Sequence, residues 1–264
     1  MAAGRSAGDR MSTAGALTFA RYAYPPNALG YCGPRDHRAL LEHAAAGVAD
    51  GGLAQLARGF DGAWPYLELI AGANGRTDPL DTQVVEAYWI GNRLLERVGM
   101  ASLGGVLLER FRARTGRSFA RLVEAVPAGA VPHHNFHVFG VYPWVGLLRA
   151  GPAEYPMRVL DRCRIRWGEV TAVAGGLVTV RVRPLVWDGR RLGLSPPILE
   201  QAVGAHDGLA LAGPLHPGDR VALHWDWVCD RLTPHQLAAL RHHTARQLAI
   251  VNQLPHPAPA AALG

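Results

Sequence analysis

Residues 161–173 read DRCRIRWGEVTAV, and this stretch decides the fold. Cys163, Ile165 and Trp167 alternate with Arg162, Arg164 and Arg166. A period of two marks a half-buried strand, so a thiol is expected at the head of a strand with arginines on its other side. The pattern continues outward. Ala174-Gly175-Gly176 turns the chain, and Val178, Val180 and Val182 then alternate with Thr179, Arg181 and Arg183. Trp187-Asp188-Gly189 is a further turn, residues 192–215 are irregular, and Gly218-Asp219 opens GDRVALHWDWVCDRL, residues 218–232. Read as one strand, this last segment puts Val221, Leu223, Trp225, Trp227 and Cys229 on a core face. Ala222, His224, Asp226, Val228 and Asp230 fall on a wetter one. Thr233-Pro234 then starts a terminal helix lined by Leu237, Leu240, Thr244, Leu248 and Val251.

Upstream the period changes to that of helices. Asp36 caps a segment in which Leu40, Leu41, Ala44 and Val48 recur at helical spacing. Pro65 suits the first turn of a helix carrying Leu67, Leu69 and Ile70. The clearest helix begins at Asp78-Pro79, presents Val84, Val85, Tyr88, Trp89, Leu94, Leu95 and Val98, and stops at Gly99. Two more are expected over residues 103–114 and 119–125. Pro25, Pro26, Gly30, Gly33 and Pro34 predict a loop in the aromatic stretch 19–34, which contains Cys32. In VPHHNFHVFGVYPWVGLL, residues 131–148, His133 and His137 stand four apart and His134 and His137 three apart. Either spacing puts two imidazoles on one helix face, as metal pairs are often presented, although the segment holds no carboxylate or thiol to complete a site. The expected organisation is a disordered leader (1–17), a helical domain (18–150), a linker (151–156), a small β-barrel with a C-terminal helix (157–253) and a disordered tail (254–264). The fold class is α+β.

The 264 residues are 49% hydrophobic, enough for a packed core. The net charge is +6, and arginine supplies every basic residue besides histidine. The arginines form no single long run, which speaks against nucleic acid as the partner. Three cysteines (Cys32, Cys163 and Cys229) make no disulfide framework and fit a reducing cytoplasm. No apolar run reaches the ~18 residues of a membrane span, and the N-terminus lacks the apolar core of a secretion signal.

The second half resembles the hydrogenase-maturation chaperones of the HypC/HupF type. Cys163, Gly168 and Val170 have the spacing of that family's opening motif, and Gly218, Asp219, Val221, His224 and the Leu232-Thr233-Pro234 helix entry follow in the family's order. The likeness covers about a third of the chain. It departs where Ile165-Arg166-Trp167 replaces Gly-Ile-Pro and where Cys163 is internal rather than N-terminal. The first half resembles an uncharacterised bacterial family fused to such a barrel.

The resemblance implies an OB-like barrel and an accessory protein, not an enzyme. Its cysteine would hold the iron of a transient Fe(CN)2CO precursor, shared with a HypD-like scaffold, and would contact the immature large subunit of a [NiFe]-hydrogenase. A thiolate is a strong iron ligand, and a neighbouring imidazole can bind the metal or a cyanide. The candidate metal residues are Cys163, His224, His133 and His137. The candidate partner-binding residues are Cys163, Gly168, His224, Asp226 and Cys32. Three other functions compete: a stable structural subunit of a metalloenzyme, a nucleic-acid-binding barrel using Arg158, Arg162, Arg164, Arg166, Arg181 and Arg183, and a thiol enzyme.

Overall fold

A computed structural model describes residues 7–107, 109, 129–142 and 144–253. The helix expected over 119–125, most of that over 103–114, and the tail lie outside the described residues. The molecule mixes helix and sheet, as an α+β chain should.

Helix α1 (Ala7–Ala28) runs through the centre of the helical body and packs on α2 (His37–Ala46), α3 (Gly51–Arg58) and α5 (Thr82–Trp89). It replaces the expected leader from residue 7 onward and much of the expected loop. Pro25 and Pro26 sit in its last turn, so the break comes only afterwards, at Gly30 and Gly33, where φ is 76° and 86°. Asp36 and Asp50 cap α2 and α3 through side-chain bonds to Ala39 and Leu53. Helix α4 (Trp64–Ala73) has Pro65 in its first turn. Helix α5 starts after Asp81 rather than at Asp78 and ends ten residues before Gly99. Gly91 takes φ 98°, and a Cβ there would come within 2.0 Å of the His243 ring. A 3-10 turn, Arg93–Arg97, follows.

The histidine stretch forms a short helix, α6 (His134–Phe136), which widens into a π turn (His137–Val141). Helices α7 (Trp144–Ala150) and α8 (Glu154–Cys163) come next, so helix covers much of the expected linker and Cys163 ends a helix instead of heading a strand.

Nine strands follow: β1 (Arg166–Ala174), β2 (Leu177–Val182), β3 (Leu185–Trp187), β4 (Leu192–Leu194), β5 (Ile198–Val203), β6 (Ala205–His206), β7 (Leu209–Ala210), β8 (Arg220–His224) and β9 (Trp227–Arg231). Five close into a barrel in the order β1-β2-β5-β9-β8, with β8 returning to β1. Val170, Val178, Val180, Val182, Ala202, Val221, Leu223 and Val228 fill its interior. Gly168 lies in the wall, where a Cβ would stand 2.3 Å from Val180 Cγ1.

Two expectations about facing are reversed. Arg166, Gly168 and Val170 share the buried face of β1, while Trp167 is half-buried. The single strand expected over 218–232 is a hairpin turning at Trp225-Asp226, with His224 opposite Trp227. Consequently Leu223 pairs with Val228, and His224 is buried rather than on a wet face.

The terminal helix, α9 (Pro234–Gln253), lies against the helical body. His243 stacks on His133 with ring centres 5.2 Å apart, and Asn135 Nδ2 donates to Thr244 Oγ1 at 2.9 Å. The largest apolar cluster combines α1, α3, α4 and α5 with Ile165, Ala222, Cys229, Leu237 and Leu240. Helical body and barrel therefore share one core along a seam. Among the described residues, no helix is long and apolar enough to cross a membrane.

Candidate metal centre

The C-terminal end of α8 lies in this seam. The last carbonyls of a helix lack partners within it, and here both sides of the seam supply them. The Trp225 N–H donates to the Arg162 carbonyl at 2.7 Å, and His134 Nε2 lies 2.8 Å from the Cys163 carbonyl. These bonds draw the β8–β9 turn and α6 onto Cys163. As a result, ligand atoms of His134, Cys163 and His224 all lie within 4.8 Å of one another, and all three residues are buried.

Both imidazoles are held by oxygen atoms. His224 Nδ1 donates to the Tyr22 carbonyl of α1 at 2.6 Å, so Nε2 keeps its lone pair, and that nitrogen is buried with no hydrogen-bond partner. His134 Nδ1 is 3.2 Å from the Tyr88 hydroxyl of α5. With Nε2–H donated to the Cys163 carbonyl, His134 Nδ1 accepts from Tyr88. Metal-binding histidines characteristically donate their second ring N–H to such an outer oxygen, as His224 does to the Tyr22 carbonyl, whereas both His134 nitrogens are engaged in this tautomer. Trp89 packs against both rings, 4.7 Å from His134 and 5.7 Å from His224 between ring centres.

The surroundings disfavour charge. Burial pushes the Cys163 thiol well above its ordinary range, with the Cys32 thiol adding to the rise. Burial drops His224 to about 4 and, helped by His224 itself, takes His134 well below the usual imidazole range. The protein thus presents one neutral thiol and two neutral imidazoles. A cation reverses this preference by favouring the thiolate, so binding releases a proton.

The site is braced by arginines turned inward. Arg166 donates to Glu200 and, through Nη2, to the Trp225 carbonyl at 2.6 Å. Arg162 bridges Glu200 at 3.2 Å and Asp226 at 3.1 Å. Buried Arg164 pairs with Asp161 at 3.0 Å, and burial lowers it to about 10. Trp225 is held at φ 53°, unusual for a bulky residue, and its ring stacks on Tyr31 at 4.3 Å.

Of the residues nominated from sequence, Cys163 and His224 come together. His133 and His137 do not join them. His133 caps α6, accepting from Asn135 N–H at 3.0 Å, and His137 Nδ1 meets the Tyr66 hydroxyl at 3.0 Å in the helical body. Gly168 is buried in the barrel wall. Asp226 is exposed at the turn tip. Cys32 lies in the bend after α1, next to Tyr31. The candidate ligand left out of the sequence nominations is His134. Its signal was present in the HHNFH spacing, but its partners sit 29 and 90 residues away, across a change of fold type.

Residues 11–258 match the Family of unknown function (DUF6390). The chain belongs to this family. The DUF6390 match includes all three residues of the centre and the five barrel strands. No curated protein and no solved structure matches the chain.

Proposed function

We propose that this protein is a non-catalytic accessory factor in metalloenzyme assembly and that Cys163, His224 and His134 hold a transition metal ion. The convergence of one thiol and two pre-oriented imidazoles, drawn from three separate elements, carries this reading. A thiolate with imidazoles suits zinc, iron and copper better than magnesium or calcium. The chaperone resemblance of residues 157–253 supplies the class of client: the immature large subunit of a [NiFe]-hydrogenase or a related metalloenzyme. It also suggests an iron precursor as the cargo, received from a HypD-like scaffold. Burial of the thiol makes this a holding site that must open before any transfer.

The nucleic-acid reading loses support because Arg164 and Arg166 are buried and ion-paired, and Arg162 is also paired. A permanent structural subunit would differ from an assembly factor in staying with its partner.

Metal analysis of wild type and Cys163→Ser, followed by pull-down of the large subunit with each, tests the proposal. Wild type should carry about one ion per chain and recover the immature subunit, with both reduced in the variant. Equal metal content and equal recovery would remove the thiol from the function.

A further inference from the structure

We propose that Trp225 is a positioning residue of this centre: its indole N–H donates to the Cys163 sulfur once a metal ion has converted the thiol to a thiolate. The inference rests on the three-residue centre proposed above and names what stabilises its one anionic ligand.

The backbone shows that this side chain is needed where it stands. Trp225 opens the turn between β8 and β9 with φ 53°. Glycine, asparagine or aspartate takes such a position cheaply, and a bulky residue does not. Asp207, the other non-glycine residue at positive φ among the described residues, is of the tolerant kind. Backbone strain at a bulky residue gathers where function fixes a side chain.

The surroundings lock Trp225 against the ligand helix. Its backbone N–H donates to the Arg162 carbonyl, one residue before Cys163, at 2.7 Å, and its carbonyl accepts from Arg166 at 2.6 Å. Its ring shares an apolar cluster with Cys163 and is stacked upon by Tyr31. The residue is only 5% exposed, and Nε1 is buried with no hydrogen-bond partner. An unpaired buried donor is costly and calls for a physical reason.

The Cys163 thiol is the group this donor meets. Burial is the largest influence on that thiol and raises its pKa, Cys32 adds to the rise, and the Trp225 N–H acts in the opposite sense by favouring the thiolate. A neutral thiol is a weak acceptor, whereas a charged one makes a strong bond. The donor is therefore idle in the metal-free protein and engaged in the metal-bound one. His224 Nε2, also buried and unpaired, is an acceptor and takes the metal itself. The two atoms match the two ends of a metal–thiolate bond. On binding, Cys163 loses its proton to solvent and forms one sulfur–metal bond, with no oxidation. Trp89 Nε1 is buried without a partner too, but its ring packs on the imidazoles and belongs to a different apolar cluster from Cys163.

The test uses the full chain, reduced, stripped of metal and titrated with Co2+ without oxygen. A hydrogen bond lowers the energy of the sulfur lone pairs and moves the thiolate-to-Co2+ charge-transfer band to shorter wavelength. Trp225→Phe keeps a ring but no donor. It should shift the band to longer wavelength and weaken Zn2+ by about 10–100-fold, as loss of an outer-shell partner does. Trp89→Phe should leave the band in place. If Trp225→Phe folds poorly, wild type carrying 113Cd2+ and 15N-labelled tryptophan gives the answer. One indole proton should then couple to cadmium across the N–H···S bond, and the coupling should persist in Trp89→Phe. An unchanged band in Trp225→Phe, or no coupled indole proton in wild type, would overturn the role of Trp225 while the three-residue centre stands. Failure of wild type to bind Co2+ or Cd2+ would overturn the centre itself.

Discussion

Tyr88 shows how far single atoms determine the chemistry of this seam. Its hydroxyl reaches His134 Nδ1 at 3.2 Å, and its ring packs on Trp89 at 4.7 Å. If His134 binds metal through Nε2, the ring proton must move to Nδ1, and Tyr88 changes from donor to acceptor. Tyr88→Phe keeps the packing and removes that partner. Metal affinity, measured by competition with a chelator, should fall about 10–100-fold. Stability of the metal-free protein should fall by about 1–3 kcal/mol, because a buried ring nitrogen is left unsatisfied. Unchanged affinity would mean that Tyr88 serves the fold alone. The sequence shows the His134 spacing but not its partnership with Tyr88. Cys163 and His224 could be nominated because each stands in a recognisable stretch, whereas Tyr88 and His134 earn their roles only when α5 and α6 meet. Trp225 is similar. Two-residue hairpin turns favour Asn, Asp and Gly, which tolerate positive φ, and Trp-Asp gives only half that signal. The unbroken alternation from Val221 to Cys229 therefore read as one strand.

The arginines of β1 and α8 make the same point for whole elements. Alternation correctly announced a strand in residues 161–173, but not which parity faces inward. Polarity alone puts a charged residue outward, yet Arg166 is buried, because Glu200 on β5 and the Trp225 carbonyl await it at the end of the barrel. Helix α8 was missed because its last residues carry the alternating arginines that suggested a strand. Arg166→Ala should be destabilising by about 1–3 kcal/mol, since it leaves the turn carbonyl uncapped and Glu200 with Arg162 as its remaining partner. Arg181, half exposed and 3.6 Å from Glu169, is the control, and its replacement by alanine should cost less than about 1 kcal/mol. Urea unfolding of both variants checks the pair. Similar costs would return Arg166 to the exposed face assigned from sequence.

At the scale of the whole molecule, the seam accumulates neutral histidines. Burial lowers His133 to about 3 and His137, His224 and His243 to about 4, with His134 also well below its usual range. They lie on α6, the π turn, β8 and α9, so they join the helical body to both the barrel and the terminal helix. Unfolding returns each to an ordinary value near 6.5. Between about pH 6.5 and pH 4 the unfolded chain therefore holds more protons than the native one. Stability is fully present above pH 6.5 and is lost as the pH falls towards the native values. One such histidine gives a slope of up to about 1.4 kcal/mol per pH unit, and a set on one seam should give a steeper one, short of additive because neighbouring rings repel once charged. Urea midpoints of the metal-free protein from pH 7.5 to 4.5 would measure it. His243→Gln should flatten the curve, since His243 stacks on His133 and lies outside the trio proposed to hold a metal. A flat profile for wild type would mean that the histidines are solvated and that helical body and barrel do not share a dry core.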